Sequence, residues 1–255
     1  MTKKKLQKPI HKYAWKPDIP DARDLIYKRK WRLFRIPQIV DLRPMCSPVE
    51  DQGQIGSCTA TAIVGNLEYL ENKEGLQMVD LSRLFVYYNE RMIEGTTDHD
   101  AGAMIRDGIK SLITDGVCPE SEWGYDITKF TNKPTKQCYN DALAHRISQY
   151  QRLNTIDDIQ SCLADGYPVV VGISVYESFE SDDVAKTGIV PMPTADERLL
   201  GGHAVLVVGY DMAKRWFIVR NSWGDNWGDN GYFYLPFDYM SNQNLSDDWW
   251  SISKF

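Results

Sequence analysis

The sequence predicts an α+β protein of two lobes, a mainly helical one followed by one rich in antiparallel strands, with a cleft between them. Three observations lead there. Apolar residues recur at three- and four-residue spacing in several segments of the first half. After Gly166 the pattern changes to short β-branched and aromatic runs separated by Gly, Asn and Asp. The chain also has 255 residues, 43% of them hydrophobic, with 8 Trp, enough to bury one large core or two smaller ones facing each other.

The elements follow in order. Residues 1–38 are rich in Lys, Arg and Pro without a sustained period, and Pro17-Asp18-Ile19-Pro20-Asp21 is extended because each Pro disfavours helix in its predecessor. This stretch is an arm laid over a body that divides into a helical lobe, 39–150, and a β-rich lobe, 151–255. Helices are expected over 59–74 (Ala62, Ile63, Asn66, Leu67 and Leu70 on one face, Gly75 as stop), 82–93, 101–114, 140–148 and 156–163. The last begins with Thr155 and Asp158 placed as a capping box. Strands are expected at 168–175, 204–210, 216–220 and 232–235.

Charge and cysteine usage exclude several classes. A net charge of −6 disfavours nucleic acid or anionic membrane as partner. The basic group Lys3, Lys4, Lys5 and Lys8 reads as a solvated tail. No apolar run has the length of a signal core or a membrane span. Cys46, Cys58, Cys118, Cys138 and Cys162 form no CxxC pairs, so their spacing indicates neither a zinc site nor a disulfide scaffold, and no metal or cofactor is expected. A cytoplasmic or other reducing compartment fits, with carriage in a virion or non-classical export as alternatives, and a monomer is expected.

One cysteine has a setting for chemistry. A thiol with an ordinary pKa of about 8.5 becomes a nucleophile when a helix N-terminus and a neighbouring imidazolium favour its thiolate. Cys58 begins the 59–74 helix behind the Gly56-Ser57 turn. His203 follows Gly201-Gly202 and opens an apolar strand, which leaves its ring uncrowded. His11 lies in the arm, His99 in an acidic loop and His145 on a polar helix, all solvated settings. Asn221 ends a strand in Asn221-Ser222-Trp223-Gly224, where it can orient an imidazole while Trp223 keeps water from that bond.

In these residues the chain closely resembles the papain/cathepsin family of cysteine peptidases. Gln52-Gly53-Gln54-Ile55-Gly56-Ser57-Cys58, His203-Ala204 and the block Asn221 through Tyr232 match the family's motifs in order, and the resemblance runs from about Val40 to Leu235. It implies a papain-like fold and a leaderless member of bacterial or viral type. Cys58 would be the nucleophile, His203 the acid and base, and Asn221 its orienting partner. Gln52, with the Cys58 N–H, would bind the oxyanion. It also implies that Gly102 pairs with substrate backbone. Met104, Gly172, Gly201 and Ala204 would line the pocket for the side chain two residues before the scissile bond, with Gly202 and Trp223 beside it. A sizeable hydrophobic residue is expected there.

Departures from the family are informative. Ile55 stands where a half-cystine is usual, and Asp98-His99-Asp100 covers the place of its partner. Thr59 replaces a Trp, which leaves the helix start less shielded. No His-rich insertion lies between Ser174 and His203, which favours endopeptidase action. Residues 1–38 are too short and Pro-rich for the family's long helical propeptide, so a restraining role falls to a segment around Ile19–Arg35, cleaved or not. Rival readings are a peptide ligase or transpeptidase on the same triad and a non-catalytic peptide-binding module. A transglutaminase is disfavoured because Asn221 stands where that class uses Asp.

Overall fold

The computed structural model describes residues 12–29 and 36–253. The basic tail Lys3–Lys8, His11 and the stretch 30–35 of the arm lie outside the described residues. The helices are α1 (Cys58–Lys73), α2 (Arg83–Glu94), α3 (Ile105–Thr114), α4 (Lys136–Ala142), α5 (Ile156–Ala164), α6 (Asp182–Thr187) and α7 (Phe237–Ser241). The strands are β1 (Trp15–Lys16), β2 (Ile39–Asp41), β3 (Ala103–Met104), β4 (Gln149–Arg152), β5 (Val169–Tyr176), β6 (Leu199–Asp211), β7 (Trp216–Arg220), β8 (Tyr232–Pro236) and β9 (Ser246–Ser253).

β4 to β9 form one antiparallel sheet in the order β4-β9-β5-β6-β7-β8, with β2 paired to β6. Its side chains alternate between two cores, as a period of two requires. Val170, Ala204, Leu206 and Trp250 face α1, α2 and α3. Val169, Val171, Val205, Val207 and Phe217 face away, toward α5 and α7. Helix α1 runs between the lobes and is buried continuously from Cys58 to Glu71. A helix buried on all sides must find partners for its polar side chains, and Glu68 of α1 accepts from the Ser47 hydroxyl at 2.5 Å and the Leu81 N–H at 2.9 Å. Among the described residues no helix is long and apolar enough to cross a membrane.

Several expectations on the elements change. Residues 101–102 are not helical, because Gly102 takes φ +66° and Ala103–Met104 form β3 before α3 begins. The fourth helix lies earlier than expected, at Lys136–Ala142, where the Thr135 side chain caps the N–H of Cys138 at 3.3 Å. His145 therefore follows that helix instead of lying on it, and its Nδ1 meets Glu71 Oε1 at 2.8 Å. The capping box at Thr155 and Asp158 is present. Strand β9 was not expected at all, since Ser246-Asp247-Asp248 reads as a polar turn.

Candidate active site

Cys58 is the first residue of α1, so unpaired N–H groups of the first turn point toward it. Ser57 occupies the N-cap position but does not cap the helix, because its hydroxyl is engaged with Tyr125 Oη. The sulfur is completely buried, and this desolvation pushes its pKa up to about 11. Backbone N–H groups of Ala204, Ala14 and Thr59 pull in the opposite direction. The residue after His203 is thus against the sulfur, which places the imidazole strand beside the helix start.

His203 is fully buried, and its Nε2 lies 2.8 Å from Asn221 Oδ1. The Trp223 ring stacks on the imidazole at 5.1 Å between centroids and 23° between planes, so the bond is roofed by indole. Asn221 Oδ1 also accepts the Ser222 N–H at 2.9 Å, which fixes the amide's orientation.

Gln52 is equally buried. Its Oε1 accepts the Ser222 hydroxyl at 2.5 Å, and its Nε2 donates to Ile55 O at 2.9 Å and to Lys12 O at 3.3 Å. The Gln52 N–H donates to Ser222 O at 2.9 Å, so the glutamine loop and the asparagine loop are joined twice. Tyr125 Oη donates to Gln52 O at 2.9 Å, and Arg83 lies over the Tyr125 ring at 3.9 Å. Tyr125, Arg83 and Ser222 were not singled out from the sequence. Ser222 was within reach, being adjacent to Asn221, but the other two are joined to the site only by folding.

The departures from the family pattern have structural counterparts. Asp100 Oδ1 accepts the Gly56 N–H at 3.0 Å and the Tyr87 hydroxyl, tying the loop before Cys58 to the loop after α2 where the usual disulfide is missing. Thr59 does not leave the helix start less shielded. It is fully buried, and its hydroxyl donates to Glu90 Oε1 at 2.6 Å. Burial drives the Glu90 carboxyl well above its ordinary pKa, and what replaces an indole contact is a buried hydrogen bond from hydroxyl to carboxyl.

The arm lies directly over this constellation. β1 pairs in parallel with β3, Trp15 opposite Ala103 and Lys16 opposite Met104. The Ala103 N–H donates to Ala14 O at 3.2 Å, and any side chain at Gly102 would strike that carbonyl. The Trp15 indole lies against Gly172 and Gly202, where a Cβ would leave it no room, and Tyr13 lies against Gly201. The Tyr13 ring also meets His203 and Trp223 edge-on at 6.1 and 6.0 Å. Gly102, Met104, Gly172, Gly201, Gly202 and Trp223, all expected to meet substrate, thus meet the arm. The part over the cysteine is Lys12–Lys16, upstream of the Ile19–Arg35 expected, and Ile19 itself is 69% exposed.

A sequence profile described as "Papain family cysteine protease" matches residues 36–247. The chain belongs to this family. It is 45% identical over 232 residues to an uncharacterized peptidase C1-like protein of Acanthamoeba polyphaga mimivirus, covering 87% of this chain and 74% of that one. Among solved structures it matches Xylellain, a cysteine protease from Xylella fastidiosa, with a TM-score of 0.90 and 44% identity, over 95% and 96% of the two chains. Procathepsin L 3 of Tenebrio molitor larval midgut shares the fold, with a TM-score of 0.72 at 21% identity over 90% of this chain and 73% of that one. The protein is a papain-like cysteine peptidase of α+β fold, and its family acts on polypeptides.

Away from these residues, sulfur and oxygen atoms of Cys118, Glu122 and Cys138 lie within 4.8 Å of one another, two buried and one exposed. This is a set able to hold a metal ion that the residue spacing did not reveal.

Proposed function

We propose that the protein is a cysteine endopeptidase working through a thioester on Cys58 and held latent by its own arm. The observation that carries this reading is the alignment of Cys58 at an uncapped helix N-terminus with the Asn221-held His203 beside it. Once the arm leaves, water and the imidazolium reach the sulfur, and the helix terminus favours its thiolate. The thiolate attacks the scissile carbonyl, and the resulting oxyanion is held by Gln52 Nε2 and the Cys58 N–H. Collapse expels the amine, which takes its proton from His203, and water then attacks the thioester with His203 as base. Asn221 keeps the imidazole in the tautomer that presents Nδ1 to the sulfur.

The arm's position supports inhibition without cleavage. The pocket for the side chain two residues before a scissile bond is filled by Trp15. A productive chain would continue through Lys16 and bring its carbonyl to the Gln52 amide. Instead that amide meets the carbonyl of Lys12, on the N-terminal side of Trp15. The arm therefore runs backwards relative to such a substrate, and its carbonyls are not offered to the sulfur for attack.

An epoxide thiol trap and a fluorogenic peptide test the reading together. Trp15→Ala should label at Cys58 and hydrolyse peptide faster than the unmodified chain, and Cys58→Ala should do neither. In the Trp15→Ala background, Gln52→Ala should lower kcat about 10²–10³-fold with less change in KM, as expected for a donor used mainly in the transition state. If no arm variant reacts with the epoxide or cleaves peptide between pH 5 and 8, the reading fails. Adding a nucleophilic amine and analysing products separates hydrolysis from ligation.

A further inference from the structure

The three-residue cluster on the helical lobe is assembled from two separate pieces of chain. Cys118 follows α3, and a turn in which the Glu122 N–H donates to Pro119 O at 3.0 Å folds Glu122 back toward it. Cys138 comes from the first turn of α4, where its sulfur lies 3.1 Å from Thr135 Oγ1 and 3.9 Å from Glu122 O. Both thiols are free, at 0% and 2% exposed, and they lie within hydrogen-bond reach of each other.

A second feature sits at the mouth of this thiol pair. The exposed Glu122 carboxyl lies within hydrogen-bond reach of the Asp141 carboxyl, one turn along α4 from Cys138, with His145 nearby. Two acids therefore gather where two sulfurs converge, although like charges in contact repel. A disulfide would use the sulfurs and leave the carboxyl contact unexplained. A cation uses all four groups.

The donor chemistry selects the ion. Thiolates favour zinc over calcium and magnesium, and tetrahedral sites accept carboxylate oxygen beside sulfur. Bond lengths of about 2.3 Å to sulfur and about 2.0–2.2 Å to oxygen set neighbouring donors about 3.4–3.8 Å apart. The ligand atoms of Cys118, Glu122 and Cys138 already lie within 4.8 Å of one another. We propose that Cys118, Glu122 and Cys138, completed by Asp141, bind a zinc ion that closes the loop between residues 118 and 138. On binding, the two thiols give their protons to solvent and each sulfur forms one bond to the metal.

The loop so closed reaches the catalytic lobe. Cys118 O accepts the Ser82 N–H at 2.9 Å, and Trp123 O accepts the Ser82 hydroxyl at 2.5 Å, which fixes the loop to the start of α2. Further along it, the Tyr125 hydroxyl donates to Gln52 O. A metal at its base thus steadies the segment that holds the glutamine loop from outside.

Cobalt(II) alone is the probe, added to the full-length, reduced Cys58→Ala chain, in which the reactive thiol cannot compete as ligand. One equivalent should give a thiolate-to-metal charge-transfer band and the intense visible bands of tetrahedral cobalt, and added zinc should bleach both. Cys118→Ala and Cys138→Ala should each abolish the bands. Glu122→Gln, which keeps the fold because its side chain is exposed, should weaken zinc binding at least tenfold. Zinc should also slow amide hydrogen exchange across residues 119–137 of the Cys58→Ala chain. Absence of cobalt bands in that chain overturns the proposal, as do bands of unchanged intensity in Cys118→Ala. A Cys118–Cys138 disulfide in protein purified without reductant, with no cobalt bands after its reduction, overturns it in favour of a covalent link.

Discussion

The two halves of the described arm are held in opposite ways. Lys12–Asp18 is short and polar yet tightly engaged. Lys12 pairs with Asp100, the Tyr13 hydroxyl donates to Glu180, Lys16 meets Glu94 at 2.9 Å, and Asp18 accepts from Arg106 N and Trp250 Nε1. Ile19–Arg29 carries more aliphatic side chains but leaves them in solvent, with Ile19, Leu25 and Ile26 at 69%, 54% and 46% exposed. It is attached by backbone bonds between Leu25, Tyr27 and Arg152, by one buried pairing of Asp24 with Arg106 at 2.8 Å, and by a partly exposed pairing of Arg29 with Asp157 and Asp158. Apolar content alone therefore says little about which part of a strap is fastened. What decides is whether a preformed cavity receives the side chain and whether buried polar groups find partners.

Substitutions along the arm can break this contrast. The largest effect belongs to Trp15→Ala, which removes an indole from its pocket. Loss of about 2–3 kcal/mol of docking should raise peptidase activity of the intact chain roughly 30- to 150-fold, read as kcat/KM.

The next effect depends on pH. Burial, with Asp248 adding to it, raises the docked Asp18 carboxyl to about 7, while the adjacent Arg106 and the Trp250 N–H act against this. Arg152 also faces the pair, and Asp24 lies behind Arg106. A carboxyl whose pKa is raised on docking favours the docked state while it holds its proton. That contribution is complete below the ordinary carboxyl value and is lost as pH rises through about 7. Asp100 acts oppositely, since Lys12 and other donors hold its pKa down and favour docking above its ordinary range. The activity of the unmodified chain divided by that of Trp15→Ala, in which the pH dependence of the chemistry cancels, should rise from pH 5 to pH 8. Asp18→Asn should flatten that rise, and an unchanged slope would remove Asp18 from the account.

Smaller effects follow for single charges. Lys16→Ala deprives the mostly buried Glu94 of a cation and should weaken docking by about 1 kcal/mol, roughly fivefold in activity. Arg29→Ala, in the outer half, should change activity by about twofold or less, since exposed ion pairs contribute little. If Arg29→Ala matched Trp15→Ala, the contrast between the two halves would collapse.

Much of this was legible in the sequence. Cys58, His203, Asn221 and Gln52 could be singled out as candidates because each sits in a local setting with chemical meaning and the settings occur in a known order. The central helices and most strands followed from period and punctuation. The arm's register was not legible, because what fastens it are pairs such as Asp18 with Asp248, separated by 230 positions and brought together only by folding. Strand β9 escaped for a related reason. Its first residues look like a turn, and the register shift and left-handed Asp248 disrupt the alternation by which a strand is recognised. Thr59 was misjudged because its partner, Glu90, lies on another helix.

The Asp100 tether has a practical consequence. A thiol enzyme needs its sulfur kept free of oxidation, and the reagents that ensure this also open nearby cystines. Here the loop presenting Cys58 is fastened by a carboxylate that accepts from Gly56 and Tyr87. Strong reductants can therefore keep the sulfur free without slackening the loop that aims it.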